Sequence, residues 1–501
     1  MISEVNSDSN SSNWRLDLAV MLRRYGFLGL DVENNGQPIT TKLAVTLSRD
    51  WKTTPSGTSI TVILADGSTQ DGGLDQQSEA GGSFLYGEHR SWFRRPEPAY
   101  RTLLNHFSFS GEGLTSILRT ETGRTVVGWW NKNGNRYLVI GLRVVDELVR
   151  YTQGDPEKVI SAADKTLWGS GHERPAYLFE DNIVKGYELV PWADRLGFLL
   201  VRLIAAASGL PLLALLPGGA SGGVLLTGDD DQAYLEKYQE QLGLLQNFPM
   251  TYLMLPHTRH TSESLGKMPR NVEFGVHVDA LEMPANYAEI CKEQTQEVRT
   301  LIGKPANVVR NHGHLNSGYW GHLQAWEDCG LDLDLSIRGL DGTCPTGSYL
   351  PFRVRRSTGS WSSHISLFST FSDSMFYLQK WSPRKQISCV NKLAGQISGT
   401  DPGIIVFNLH PQNVSDFHDL HRTVMALGRR KGWVALGAES YLDWLTAVAG
   451  IRLVGTASGF ELHSSTPIEK LAYSWPAAPG QTFPQVLPKW EGVVHLGKPV
   501  S

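Results

Sequence analysis

The chain reads as an α/β protein: a distorted (β/α) barrel over residues 218–450, preceded by an α/β domain and followed by a small β appendage. Three observations carry this prediction. The 501 residues exceed a single domain of roughly 150, and their composition, 41% hydrophobic and 19% charged with 51 Gly and 25 Pro, is that of packed globular cores. From residue 222 onward, short apolar strand-like runs alternate with segments of helical apolar period, as repeated βα units and a parallel sheet require. Beyond residue 450 the pattern changes to apolar–polar alternation without helical period.

Taken in order, residues 1–13 are rich in Ser and Asn and read as a flexible tail. Residues 14–165 form the N-terminal α/β domain. Within it, 42–47 (KLAVTL) and 59–65 (SITVILA) are strand-like, 66–82 reads as a long polar surface loop, and Asn133-Gly134 joins two β-rich runs between Thr125 and Asp146 as a hairpin. A connector, 166–217, contains an apolar stretch that approaches the roughly 20 residues of a bilayer span. Arg202 and the Gly209-Leu210-Pro211 break make a helix entering a protein core the better reading.

In the barrel, strands are predicted at 224–226, 251–255, 271–277, 308–309, 331–337 and 404–409. Tyr234, Leu235, Tyr238, Leu242 and Leu245 recur at helical spacing. Residues 286–302 form a helix closed by Gly303, which suits a left-handed cap. Ser317 is positioned to cap a helix with Tyr319, Trp320, Leu323 and Trp326 on its apolar side. Residues 338–400, rich in Ser, Thr and Gly, read as an irregular insertion between the last two strands. Residues 451–501 are the β appendage.

Lys+Arg 46 against Asp+Glu 50 leaves a net charge of -4, so no basic field favours a nucleic-acid partner. Cys291, Cys329, Cys344 and Cys389 lie far apart without a C-x-x-C pair, which argues against a disulfide framework or thiolate zinc site and fits a reducing compartment. The polar, acidic start lacks the basic residues and apolar run of a secretory signal. A cytoplasmic location without a membrane span is therefore expected.

Four predicted strands end in chemistry. VLLTG leads into Asp229, Asp230 and Asp231, three adjacent carboxylates that need a cation, a pKa shift or solvation. VEFGVH ends in His277 with Asp279 beyond, VVRNHGHL carries Arg310, His312 and His314, and IIVFNLHPQ delivers His410. Strand ends on one rim of a βα sheet are where such folds present catalytic groups. His257 and His260 in PHTRH lack a helix to bring both rings to one metal and read as surface or rim residues.

This set resembles the polysaccharide deacetylase superfamily (NodB-like, carbohydrate esterase family four). LTGDDDQ is similar to its T-F-D-D-G motif with Asp229 and Asp230 matched, Glu273, Gly275 and His277 fit a strand ending E-x-G-x-H, Arg310 fits the third motif, and Phe407, Leu409 and His410 fit L-x-L-H. The resemblance spans about residues 222–450 and implies a deacetylase-type barrel. Two departures stand out: the family's second metal His falls on Leu281, and R-x-P-Y is replaced by Arg310-Asn311-His312-Gly313. His312, with His314 in reserve, is expected to supply the missing imidazole. The 30 residues around the hairpin resemble part of a glutamine-amidotransferase-like domain. They carry no chemistry, since the first cysteine of the chain is Cys291.

The resemblance implies one divalent metal, zinc by ligand type, on Asp230, His277 and His312, with Asp229 as base, His410 as acid and Arg310 orienting the base. The expected activity is hydrolytic removal of an acyl group, N-acetyl foremost, from a sugar or polysaccharide. An inactive carbohydrate-binding or scaffold protein on the same fold, and a hydrolase of a non-sugar amide, are the competing readings.

Overall fold

A computed structural model describes residues 11–28, 45–48, 60–64, 74–88, 98–162, 165–166, 171–338, 342–398, 401–456, 459–475 and 485–496. The chain divides into two compact units. One comprises Met1–Arg150, Trp192–Gly219 and Ala447–Ser501, and the other Tyr151–Pro191 and Ala220–Thr446. The boundaries differ from those drawn in sequence at residues 151–191, which were split between the N-terminal domain and the connector. This segment is instead tied to the second unit: Arg174 Nε donates to the Gly313 carbonyl at 2.7 Å, Asn182 to Pro345 at 2.6 Å, and Trp320 to Gln153 at 3.1 Å.

The first unit holds a nine-stranded mixed sheet. Its hairpin, Thr125–Lys132 with Asn135–Ile140, turns at Asn133 (φ 50°) and Gly134 (φ 77°), the left-handed pair that a tight hairpin needs. Val45–Ser48 and Ile60–Leu64 are parallel neighbours, while 42–44, 59 and 65 of the predicted runs lie outside the described residues. Two expectations are corrected. Asp75–Glu79, read as loop, is a strand against His106–Ser110, because Arg124 and Ser108 meet Asp75 and Glu79 across the ladder. A helix, Ser11–Arg24, starts inside the supposed tail, of which 1–10 lie outside the described residues.

The apolar stretch forms the helix Trp192–Ser208. A Cβ on Gly197 would sit 2.1 Å from the Tyr25 ring, so only glycine admits this contact. Among the described residues, no helix is long and apolar enough to cross a membrane. Arg452–Thr456, Gly459–Ile468 and Trp490–Leu496 form a three-stranded antiparallel sheet in the same unit.

The second unit is built on ten strands: β1 Gly222–Asp229, β2 Met250–Met254, β3 Val272–Val278, β4 Val308–Asn311, β5 Leu333–Asp334, β6 Phe352–Arg355, β7 Trp361–Ser366, β8 Phe371–Ser372, β9 Gly403–Asn408 and β10 Trp433–Leu436. Their order is β6-β7-β5-β4-β3-β2-β1-β9-β8, with β10 also on β1, and every ladder except β6–β7 is parallel. Runs such as Val224–Leu226 and Ile404–Phe407 are fully buried, as strands covered on both faces must be. Gly275 is needed where β3 passes β4, since a Cβ there would lie 2.7 Å from the Val308 carbonyl oxygen.

The distorted (β/α) barrel expected from sequence takes the form of a curled half-barrel sheet, with no ladder among the described residues joining β8 to β6 or β7. The predicted strand 331–337 shrinks to two residues as Ser336 N–H turns onto the Asp334 carboxylate at 2.6 Å. The Ser317-capped helix begins only at Leu323, since Gly318 (φ 66°) and Trp320 (φ 58°) are left-handed. Residues 338–400 are no insertion: they supply β6, β7 and β8 and the helix Pro383–Ala394. The helix predicted at 286–302 spans Tyr287–Ile302, with Gly303 in the left-handed cap at φ 67°.

Candidate active site

The C-terminal ends of β1, β3, β4, β8 and β9 bring the charged residues together. Thr227 and Asp229 point to one side of β1, as alternate residues do. Arg310, buried at the end of β4, spans both: Nη1 donates to Asp229 Oδ1 at 2.7 Å, Nη2 to Thr227 Oγ1 at 2.8 Å, and Nε to the Leu335 carbonyl at 3.2 Å. Asn408 Nδ2 donates to the other Asp229 oxygen at 2.7 Å. Burial would raise the Asp229 carboxyl, but Arg310, His277 and His410 hold it far below the usual carboxylate range. Asp229 is thus an immobilised, ionised carboxylate.

His277 ends β3. Its Nδ1 lies 2.8 Å from the Arg310 carbonyl, which can only accept, so Nε2 is the nitrogen left to face the cleft. That Nε2 stands 3.5 Å from Asp231 Oδ1, and His312 Nε2 stands 3.8 Å from the same oxygen. His312 turns its Nδ1 to Asp279 Oδ2 at 3.0 Å, and this contact, ahead of burial, lowers the Asp279 carboxyl to about 2. Leu281, half-buried, lies beside Gly313, where a Cβ would be 3.4 Å from its methyl.

Asp231, His277 and His312 each offer an atom within 4.8 Å of the others. Asp231 Oδ1 and His277 Nε2 are buried without a hydrogen-bond partner. One carboxylate and two imidazoles suit zinc, whose tetrahedral ligands at about 2.0–2.2 Å stand roughly 3.4 Å apart. The residues fit a divalent ion. The Asp231 and His312 side chains are 27% and 31% exposed, so this position opens to solvent.

Here the structure departs from the sequence reading at one ligand. Asp230 is turned away from the cleft: Tyr238 donates to its Oδ1 at 2.6 Å, and it is wholly buried. β1 ends at Asp229, and the chain turns at Asp231 (φ 38°) and Gln232 (φ 57°), which brings the Asp231 carboxylate to His277 and His312. Gln412 Nε2 holds the remaining Asp231 oxygen at 3.2 Å. His314 also stays outside the group. Its Nδ1 meets the Ser336 carbonyl at 3.0 Å, and burial, Arg338 and Arg310 push its imidazole well down, charges that would repel a cation. Of the two histidines in PHTRH, His257 is exposed and His260 is buried under Asp230, not on the rim.

His410 follows β9. Nδ1 meets Asp373 Oδ1 at 2.5 Å, its backbone N–H donates to Asp373 Oδ2 at 2.9 Å, and Nε2 stands 3.6 Å from Asp229 and 3.7 Å from Asp231. Burial would lower the imidazolium, but Asp373, then Asp229 and Asp231, raise it to about 9. Asp373, wholly buried after β8, comes from the segment read as an insertion. Its 37-residue separation from His410 is no local motif, so sequence reasoning missed it. Asn408 lay inside the Phe407–His410 motif but at an unspecified position.

No protein-family model matches the chain, and no curated protein does. Solved structures do. A Bordetella bronchiseptica protein assigned as a polysaccharide deacetylase involved in O-antigen biosynthesis is 20% identical over 46% of this chain and 91% of its own, with a TM-score of 0.30. A chitin deacetylase from the fungal pathogen Colletotrichum lindemuthianum is 14% identical over 46% of this chain and 91% of its own (TM-score 0.30). An allantoinase is 14% identical over 47% of this chain and 94% of its own (TM-score 0.36).

Proposed function

We propose that this site hydrolyses an N-acyl group, N-acetyl foremost, from a sugar or polysaccharide, with a divalent ion held by Asp231, His277 and His312. The observation that carries the reading is the meeting of two sets of groups. An unpartnered carboxylate oxygen and an unpartnered imidazole nitrogen converge with a second imidazole, and a fixed carboxylate and a carboxylate-backed imidazole face them within 4 Å. The sugar is supported by the motif resemblance around Asp229, His277, Arg310 and His410.

When bound, the ion would supply Lewis acidity for the acyl carbonyl and a lowered pKa for water. The chain's own groups do the rest. Asp229 takes the proton of the attacking water, and Arg310 and Asn408 fix both its oxygens so that no reorganisation precedes the transfer. His410 donates from Nε2 to the departing amine nitrogen, with Asp373 holding the ring by Nδ1. Asp279 Oδ2, 3.0 Å from His312 Nδ1, places a negative charge behind the ring and leaves Nε2 as the nitrogen that would ligate.

The deciding experiment measures acetate release from N-acetylated chito-oligosaccharides before and after chelator treatment. Release should stop on metal removal and return with zinc. A chelated protein that keeps its rate would end the metal reading, and hydrolysis confined to non-sugar amides would move the substrate class. Asp373→Ala should lower kcat roughly 100-fold, the lower end of general-acid effects, with bound zinc and KM near the parent's. Steady-state kinetics with metal analysis would expose a change in KM alone, which assigns Asp373 elsewhere.

A further inference from the structure

Asp231 (φ 38°) and Gln232 (φ 57°) are consecutive left-handed residues without glycine, a conformation that persists only where surroundings impose it. The residue entering this turn is Asp230. Its N–H donates to the Leu253 carbonyl at 2.9 Å, continuing the β1–β2 ladder, and its own carbonyl accepts from Ala233 N–H at 2.8 Å, closing the turn. Its carboxylate lies fully buried on the far side from the cleft.

One group hydrogen-bonds it there and a second lies beside it. Tyr238, on the helix Leu235–Leu245, donates to Oδ1 at 2.6 Å, and its ring is wedged between Tyr252 (4.4 Å between centroids) and His260 (4.3 Å). His260 brings Nε2 to 3.8 Å from the same oxygen, with 1% of its side chain exposed. That nitrogen and Asp230 Oδ2 are both buried without a hydrogen-bond partner. A buried carboxylate is retained only against donors, so the Tyr238 hydroxyl, with its ring packed against His260, selects the rotation in which Asp230 faces inward. The left-handed turn that starts from this anchored residue then brings Asp231 Oδ1 to within 3.5 Å of His277 Nε2 and 3.8 Å of His312 Nε2.

We propose that Asp230, Tyr238 and His260 are positioning residues that set Asp231 as the carboxylate ligand of the site. His260 thereby gains a role within PHTRH without touching metal or substrate. The inference rests on the metal reading above, and the test keeps the two apart. Zinc is titrated in competition with a chromophoric chelator into the full-length parent and the variants Tyr238→Phe, His260→Ala, His260→Gln, Asp230→Asn and Asp231→Asn. Visible spectra of the cobalt(II) forms report the ligand set.

Asp231→Asn should abolish tight binding. Tyr238→Phe, which removes a single oxygen, and His260→Ala should each weaken zinc about 10- to 100-fold and shift the cobalt bands, as outer-shell losses do. His260→Gln, which keeps a polar side chain against Tyr238, should recover part of the affinity. Parent-like affinity and spectra in both Tyr238→Phe and His260→Ala would overturn the proposal. So would loss of zinc in Asp230→Asn with retention in Asp231→Asn, since Asp230 would then be the ligand. A parent that binds no zinc removes the metal reading itself, whatever the variants do.

Discussion

Asp229→Asn should lower turnover by about 10²- to 10⁴-fold while zinc stays bound. The amide is isosteric with the carboxylate but cannot take the proton of an attacking water. Asp229 is not among the three atoms that converge on the candidate ion position, so coordination should survive. The substitution also breaks a buried pair. Arg310 loses its counter-charge, and one amide hydrogen must face either Arg310 Nη1 or Asn408 Nδ2, both donors to Asp229. Unpairing a buried charge costs about 3–5 kcal/mol, so a lower Tm should accompany the kinetic loss. Single-turnover rates on protein shown to be folded and zinc-loaded separate the two effects. Parent-like rates there place the base elsewhere, and loss of zinc makes Asp229 a ligand.

The fold was legible where the physics is local. Continuous apolar runs such as 224–226 and 404–407 are buried on both faces and appear as parallel strands, and Asn133-Gly134 and Gly303 occupy the backbone conformations that their residue types favour. It was less legible where polar side chains trade partners at a distance. Asp75–Glu79 looks like a loop until Arg124 and Ser108 pair with it, and residues 338–400 look like an insertion until Leu333 and Asp334 pair with Ile365 and Ser366.

The site divides along the same line. Asp229, His277, Arg310, His312 and His410 stand at strand ends and are brought together by the sheet. Asp373 reaches His410 through tertiary structure alone, and Asp231, where the motif letters put Asp230, meets His277 and His312 through a left-handed turn after β1 that no motif letter specifies.

His277→Ala and His312→Ala should each weaken zinc by more than about 100-fold, beyond what an outer-shell partner costs, and abolish hydrolysis with it. His314→Ala should leave zinc binding within a few-fold of the parent. The contrast is informative because His312 and His314 are separated only by Gly313 and have the same chemistry. Their surroundings differ. His312 Nε2 faces Asp231 and its Nδ1 is held by Asp279, so negative charge lies on both sides of the ring. His314 faces the Ser336 carbonyl and lies in the field of Arg310 and Arg338, where a divalent cation would be repelled. Gly313 (φ 58°) makes the division possible by reversing the chain between the two rings. Isothermal titration with zinc decides the matter. A large loss in His314→Ala with parent-like binding in His312→Ala would move the third ligand, and equal small losses in both would leave Asp231 and His277 too few to hold the ion.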